Sequence, residues 1–152
     1  MNPPLRSKAD NAALIEGIKD GTIDCIVTDH APHADHEKAR EFELAPFGMT
    51  GSRHHSVILT YLVDPGLITY NELVELMAIK PREILRLDQV TLKQGSVADI
   101  TIFDPEVTWT VQSDDMYSKS HNSGFLGYTL KGRATDVFVG GTVTCKDGVV
   151  VE

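Results

Sequence analysis

The sequence is short of cysteine, of basic charge and of long apolar runs, and each shortage closes off a class of function. Its two cysteines, Cys25 and Cys145, are far apart and share no metal-ligand spacing. They read as reduced thiols of a cytoplasmic protein. Lys and Arg number 14 against 22 Asp and Glu, a net charge of −8. No window carries a basic stripe, which argues against nucleic acid, whose affinity rests on cations clustered at phosphates. No apolar run approaches the ~20 residues that cross a bilayer, and Met1-Asn2-Pro3-Pro4-Leu5-Arg6 lacks the apolar segment of a signal peptide. Low-complexity stretches and internal repeats are also missing. What remains is a chain of 152 residues, 41% hydrophobic, the size of one ordinary domain with enough apolar content for a core.

Ile23-Asp24-Cys25-Ile26-Val27-Thr28-Asp29-His30-Ala31-Pro32-His33 is the most informative stretch. Its apolar run predicts a fully buried strand over Cys25, Ile26 and Val27, as in a sheet covered on both faces. Asp29, His30 and His33 follow where that strand stops, the position at which parallel α/β sheets and barrels gather ligands and catalytic groups. An Asp at a strand end is also an ordinary helix cap or turn former, and a loop His is commonly just solvated.

Before this stretch, Ser7 caps a helix, with Asp10 completing the box and Gly21 ending it. Ala13, Leu14, Ile15 and Ile18 are its expected buried face. Helix, short loop and buried strand make the αβ half of a βα unit. Residues 30 to about 52 form a loop longer than the usual limit of about 12–15 residues, and such loops are often functional. It is charged at first and then turns apolar at Leu44-Ala45-Pro46-Phe47-Gly48-Met49, where Gly48 and Gly51 allow close approach of a ligand. A helix is predicted from about Ser52 to Val63, with Val57, Ile58, Tyr61 and Leu62 inward and Asp64-Pro65-Gly66 as its stop. Thr69 and Glu72 start another, with Leu73, Val74, Leu76 and Met77 as its core face. Pro81 opens a short helix to about Leu87.

Near residue 90 the texture changes. Val97–Phe103, Val107–Val111, Tyr128–Leu130, Val137–Val139, Val143–Cys145 and Val149–Val151 read as strands, with turns at Gly140-Gly141 and Lys146-Asp147-Gly148. Residues 91–152 are therefore expected to form a small antiparallel β unit, distinct from residues 1–90.

Asn2-Pro3-Pro4-Leu5-Arg6, Thr28-Asp29-His30-Ala31-Pro32-His33 and Ala45-Pro46-Phe47-Gly48, in that order, resemble the C-terminal part of a dihydroorotase of the amidohydrolase superfamily. Gly95-Ser96-Val97-Ala98-Asp99 with Phe103-Asp104-Pro105 is similar to the β unit that closes many amidohydrolases. The resemblance implies an α/β fold: the C-terminal piece of a (β/α)8 TIM-type metal-dependent hydrolase barrel over residues 1–90, plus part of a small β-sandwich over 91–152. It implies a pair of zinc ions and the reversible cyclisation of N-carbamoyl-L-aspartate to dihydroorotate, in pyrimidine biosynthesis. It makes Asp29 a metal ligand and the general base and acid. It places Asn2, His33 and the backbone of Ala45, Pro46, Phe47 and Gly48 against the substrate, and gives His30 a supporting role. Asp-His-Ala-Pro-His favours dihydroorotase over dihydropyrimidinase or allantoinase.

The sequence also departs from that pattern. The family's His-x-His pair is missing, since the histidines are 30, 33, 36, 54, 55 and 121. The bridging lysine and two later histidines would lie upstream of Asn2, so the chain is expected to begin after the seventh barrel strand. Asp29 is one ligand where a catalytic zinc needs about three. After Gly51, Ser52-Arg53-His54-His55 replaces the family's Leu-Glu and small residues; His54 and His55 read as exposed helix-start residues. Two hypotheses follow. The chain is the catalytic-aspartate segment of a zinc dihydroorotase, inactive alone and associating with copies of itself or with a complementing chain. Alternatively it is a non-catalytic dihydroorotase-like module that partners another pyrimidine-pathway enzyme such as aspartate transcarbamoylase.

Overall fold

A computed structural model describes residues 2–51 and 54–151. The Ser52-Arg53 part of the departure noted above lies outside the described residues. Helix α1 (Lys8–Lys19) begins at Ser7, whose Oγ accepts the Asp10 N–H at 3.2 Å while the Asp10 carboxylate accepts the Ser7 N–H at 3.1 Å. Gly21, at φ +79°, turns the chain out of it, as a left-handed residue after a helix does. Ile23 then folds back: its N–H reaches the Gly17 carbonyl at 2.8 Å, and its side chain covers the bare face of Gly17.

The next segment differs from expectation. Residues 24–30 form neither helix nor strand and join no sheet, and Val27 is 72% exposed. An apolar run becomes a buried strand only where other strands flank it, and among the described residues none does. One backbone bond fastens the segment, from the Ile26 N–H to the Leu76 carbonyl at 3.0 Å. The expected buried face of α1 is likewise largely open: Leu14 is 50% exposed, and only Ile18 of that face packs on the core.

A short helix, α2 (Asp35–Lys38), interrupts the long loop. Helix α3 (His54–Ile58) continues as a widened π-helical turn over Leu59–Val63, closed by the Asp64 N–H on the Leu59 carbonyl. The wider turn rotates the inward face, so Ile58 and Leu59 are buried while Tyr61 is exposed. Helix α4 (Tyr70–Val74) carries the Thr69–Glu72 box and runs through a second π turn, Glu75–Ile79, into α5 (Lys80–Ile84). This second π turn accommodates Pro81. Lys80 donates to Glu75, and Pro81 has no N–H to give. The Leu76 carbonyl is left free for Ile26. The core joins Ile58, Leu59, Ile68, Leu73 and Leu76, with Ile18, Ile26, Leu62, Val63 and Met77 packed against it. Val74, expected inward, is exposed.

The C-terminal part is a four-stranded antiparallel meander of β1 (Ile100–Thr110), β2 (Thr129–Val139), β3 (Thr142–Lys146) and β4 (Val149–Val150). Two pairs of expected strands are each one continuous strand. Asp104-Pro105 does not end β1. It forms a bulge, with the Asp104 carboxylate accepting the Glu106 N–H at 2.8 Å and the register shifting before Thr108, a position where proline's missing donor does no harm. Gly140-Gly141 and Asp147-Gly148 make two-residue turns with positive φ at both positions, the geometry that matches strand twist. Asp99 steadies the first turn by accepting the Gly140 N–H at 2.7 Å.

The helices meet the sheet at Gly132 of β2. Its carbonyl accepts from the buried Ser56 hydroxyl at 2.7 Å and from the Trp109 indole at 3.0 Å. Thr60 extends the contact by accepting the Lys131 N–H at 2.7 Å. The Lys131 ammonium reaches the Asp64 carboxylate, and this hydrogen bond raises its pKa above the ordinary lysine value. Among the described residues no helix is long and apolar enough to cross a membrane.

Candidate functional site

The site is built by the loop that follows residues 24–28. Asp29 stands at φ +43°, a left-handed conformation that Asp tolerates better than most residues. Two bonds then lay residues 30–31 alongside 49–51. The Ala31 N–H donates to the Met49 carbonyl at 3.1 Å, and the Gly51 N–H donates to His30 Nδ1 at 2.8 Å. With Nδ1 accepting, a neutral His30 carries its proton on Nε2. His30 is thus a fastener of the loop.

Between these strands of loop lies a cavity of about 200 Å³, lined by Asn2, Thr28, Asp29, Ala31, Phe47, Gly48 and Met49. Four residues singled out from the sequence, Asn2, Asp29, Phe47 and Gly48, therefore meet at one place. His33 sits next to it, its Nε2 3.3 Å from where a Cβ on Gly48 would stand and its Nδ1 4.0 Å from the Glu37 carboxylate. Ala45 and Pro46 are outside the lining. Gly48 cannot carry a side chain there: φ is +104°, and a Cβ would lie 2.8 Å from both Cβ and O of Ala31.

Two participants left no signal that sequence reasoning registered. The Lys38 ammonium donates to the carbonyls of Pro46 at 2.9 Å and Gly48 at 3.0 Å. Asn122, far along the chain, supports the same loop: its carbonyl accepts the Thr50 N–H at 2.9 Å and its amide reaches the Gly48 carbonyl at 3.4 Å. Lys38 was one charge among several in a polar loop, and Asn122 lies in a segment with no motif.

The donors present do not make a zinc site. Asp29 offers one carboxylate, and among the described residues no three His, Cys, Asp or Glu side chains gather as ligands. His55 is exposed at the start of α3, and Cys25 and Cys145 are both free thiols. What the cavity does offer is the carboxylate residue Asp29, the aromatic Phe47 and the amide residue Asn2 in one lining, with the backbone of Gly48 close by.

No family model matches the chain. Among curated proteins it is 51% identical over 146 residues to the dihydroorotase of Geobacter metallireducens, across 96% of this chain and 34% of that protein. It is 47% identical over 148 residues to the dihydroorotase of Geobacter sp. strain M21, across 97% of this chain and 35% of that one. Among solved structures it matches L-hydantoinase (dihydropyrimidinase) from Arthrobacter aurescens with a TM-score of 0.89 at 30% identity, over 99% of this chain and 35% of the other. The mixed helices and the four-stranded antiparallel sheet are thus a portion of a cyclic amidohydrolase fold. The chain spans about a third of the length of the curated relatives it matches, and over that span it is a dihydroorotase-like amidohydrolase.

Proposed function

We propose that this chain supplies the carboxylate wall of a dihydroorotase-type site that interconverts N-carbamoyl-L-aspartate and dihydroorotate in pyrimidine biosynthesis. The observation that carries this reading is the meeting of Asn2, Asp29, Phe47 and Gly48 around one cavity, in a chain 51% identical over 146 residues to about a third of a dihydroorotase. In the hydrolytic direction water adds to a ring carbonyl and the ring C–N bond breaks. Asp29 takes the proton that the water gives up and returns it to the departing nitrogen, so one carboxylate serves as base and then as acid. Asn2 and His33 bind the polar edge of the substrate, and the backbone of Ala45–Gly48 flanks its ring. In this reading residues 1–90 are the last part of a (β/α)8 barrel and residues 91–152 part of a small sandwich. Zinc remains an implication of the family likeness, to which this chain would bring Asp29.

A second reading is a non-catalytic dihydroorotase-like module that partners another pyrimidine-pathway enzyme such as aspartate transcarbamoylase; the lack of a three-donor cluster among the described residues is compatible with both readings.

A chimera separates the two. This chain replaces the matching third of the Geobacter metallireducens dihydroorotase, and hydrolysis of dihydroorotate is measured with zinc supplied. Turnover is expected, and Asp29→Asn should lower kcat by about 10²–10⁴-fold. Full activity in that variant would remove Asp29 from the chemistry, and a folded but inactive chimera would favour the second reading. The 152-residue chain alone, given zinc, is expected to show no turnover.

A further inference from the structure

We propose that the single turn of α2 is the brace that sets the substrate wall, with Lys38 as the positioning residue for the backbone of residues 46–48. This rests on the reading of that backbone as a wall of the site. A charged loop residue is ordinarily solvated, yet Lys38 is half-buried. Asp35, Glu37, Glu41 and Glu43 surround it in sequence, and among the described residues none forms an ion pair with it. The ammonium instead gives two of its three donors to the Pro46 and Gly48 carbonyls, at 2.9 and 3.0 Å.

Those carbonyls flank Phe47, which lines the cavity. Two carbonyls two residues apart that converge on one cation fix the curve of the chain between them. The curve needs the φ of +104° that Gly48 provides. Asn122 is the other support, reaching the Gly48 carbonyl at 3.4 Å, a weaker contact by length. On the neighbouring residue, the Glu37 carboxylate accepts the Ala34 N–H at 3.0 Å and faces His33 Nδ1 at 4.0 Å. His33 Nε2 lies on the Gly48 side. The turn thus holds the backbone wall through Lys38, and fixing such a wall is where orientation effects on binding arise.

The test uses the chimera described above. Lys38→Met keeps the length and apolar stem and removes the donors. It is expected to raise KM for dihydroorotate about tenfold while kcat changes less than about threefold and the pH profile stays in place, with Lys38→Arg restoring most of the loss. An unchanged KM in Lys38→Met, in a chimera that Asp29→Asn inactivates, overturns the brace alone. Activity retained in Asp29→Asn overturns the functional reading itself. A second measurement needs no turnover. In the 152-residue chain, Lys38→Met is expected to speed amide exchange about tenfold at Ala31 and Thr50, whose N–H groups bond to Met49 and Asn122. Leu73, bonded to Thr69, serves as the unaffected control. Equal exchange at Ala31 and Thr50 would also overturn the brace.

Discussion

Leu59 and Gly132 approach so closely that a Cβ on Gly132 would stand 2.5 Å from Leu59 Cδ1. The sheet and the helical core touch here, so an added methyl group would have to displace the Leu59 side-chain end, and Gly132 also holds φ +80°, which strains any L side chain. Gly132→Ala is therefore expected to destabilise the chain by about 1–3 kcal/mol, through backbone strain and overpacking together. Urea unfolding measures this, and an unshifted midpoint would show that the two layers can part at little cost.

The Gly132 carbonyl is shared by Ser56 and Trp109. Ser56→Ala should cost about 1 kcal/mol, because Trp109 still satisfies the acceptor. Removing both donors, with Trp109→Phe, should cost more than the two single losses added, since a buried carbonyl without a partner bears its full desolvation penalty. A double-mutant cycle by urea unfolding reads the coupling directly, and additive losses would mean that water replaces the lost donors.

Thr69 holds the Glu72 carboxylate through its backbone N–H first and its hydroxyl second, and these bonds lower the Glu72 pKa from the ordinary 4.5. A depressed carboxyl contributes stability that is present above 4.5 and is lost as pH falls through the lower folded value. The urea midpoint should accordingly drop on acidification below about 4.5, and less steeply in Glu72→Gln. Parallel acid limbs in the two proteins would remove Glu72 as a source of the dependence. Asp20, lowered by the Thr22 side chain and then by its backbone, should add to the same limb.

The local devices were legible in the sequence. The boxes at Ser7–Asp10 and Thr69–Glu72 span four residues each, and the two turns of the meander need only their Gly and Asp residues, so short-range chemistry decides them. The apolar run Cys25-Ile26-Val27 misled because burial belongs to what surrounds a segment, and the described residues place no strand beside it. Asp104-Pro105 misled in the other direction, since a partner strand absorbed the irregularity as a bulge. In the candidate site, Asp29 and Gly48 announced themselves by residue type. Asn122 and the half-buried role of Lys38 did not, because each depends on contacts that form only when distant or oppositely natured stretches close on one another.

Pro81 gives the fold a form of remote control by subtraction. Its ring withholds a hydrogen, and the carbonyl of Leu76 that this leaves unclaimed becomes the peg on which Ile26 hangs, three positions before Asp29. A residue remote in sequence from Asp29 thereby helps to place the segment that leads to it, without touching it. A substitution at Pro81 that restored the missing hydrogen would bring a second donor to the peg, and its mark would be sought at Ile26 as well as in the helix.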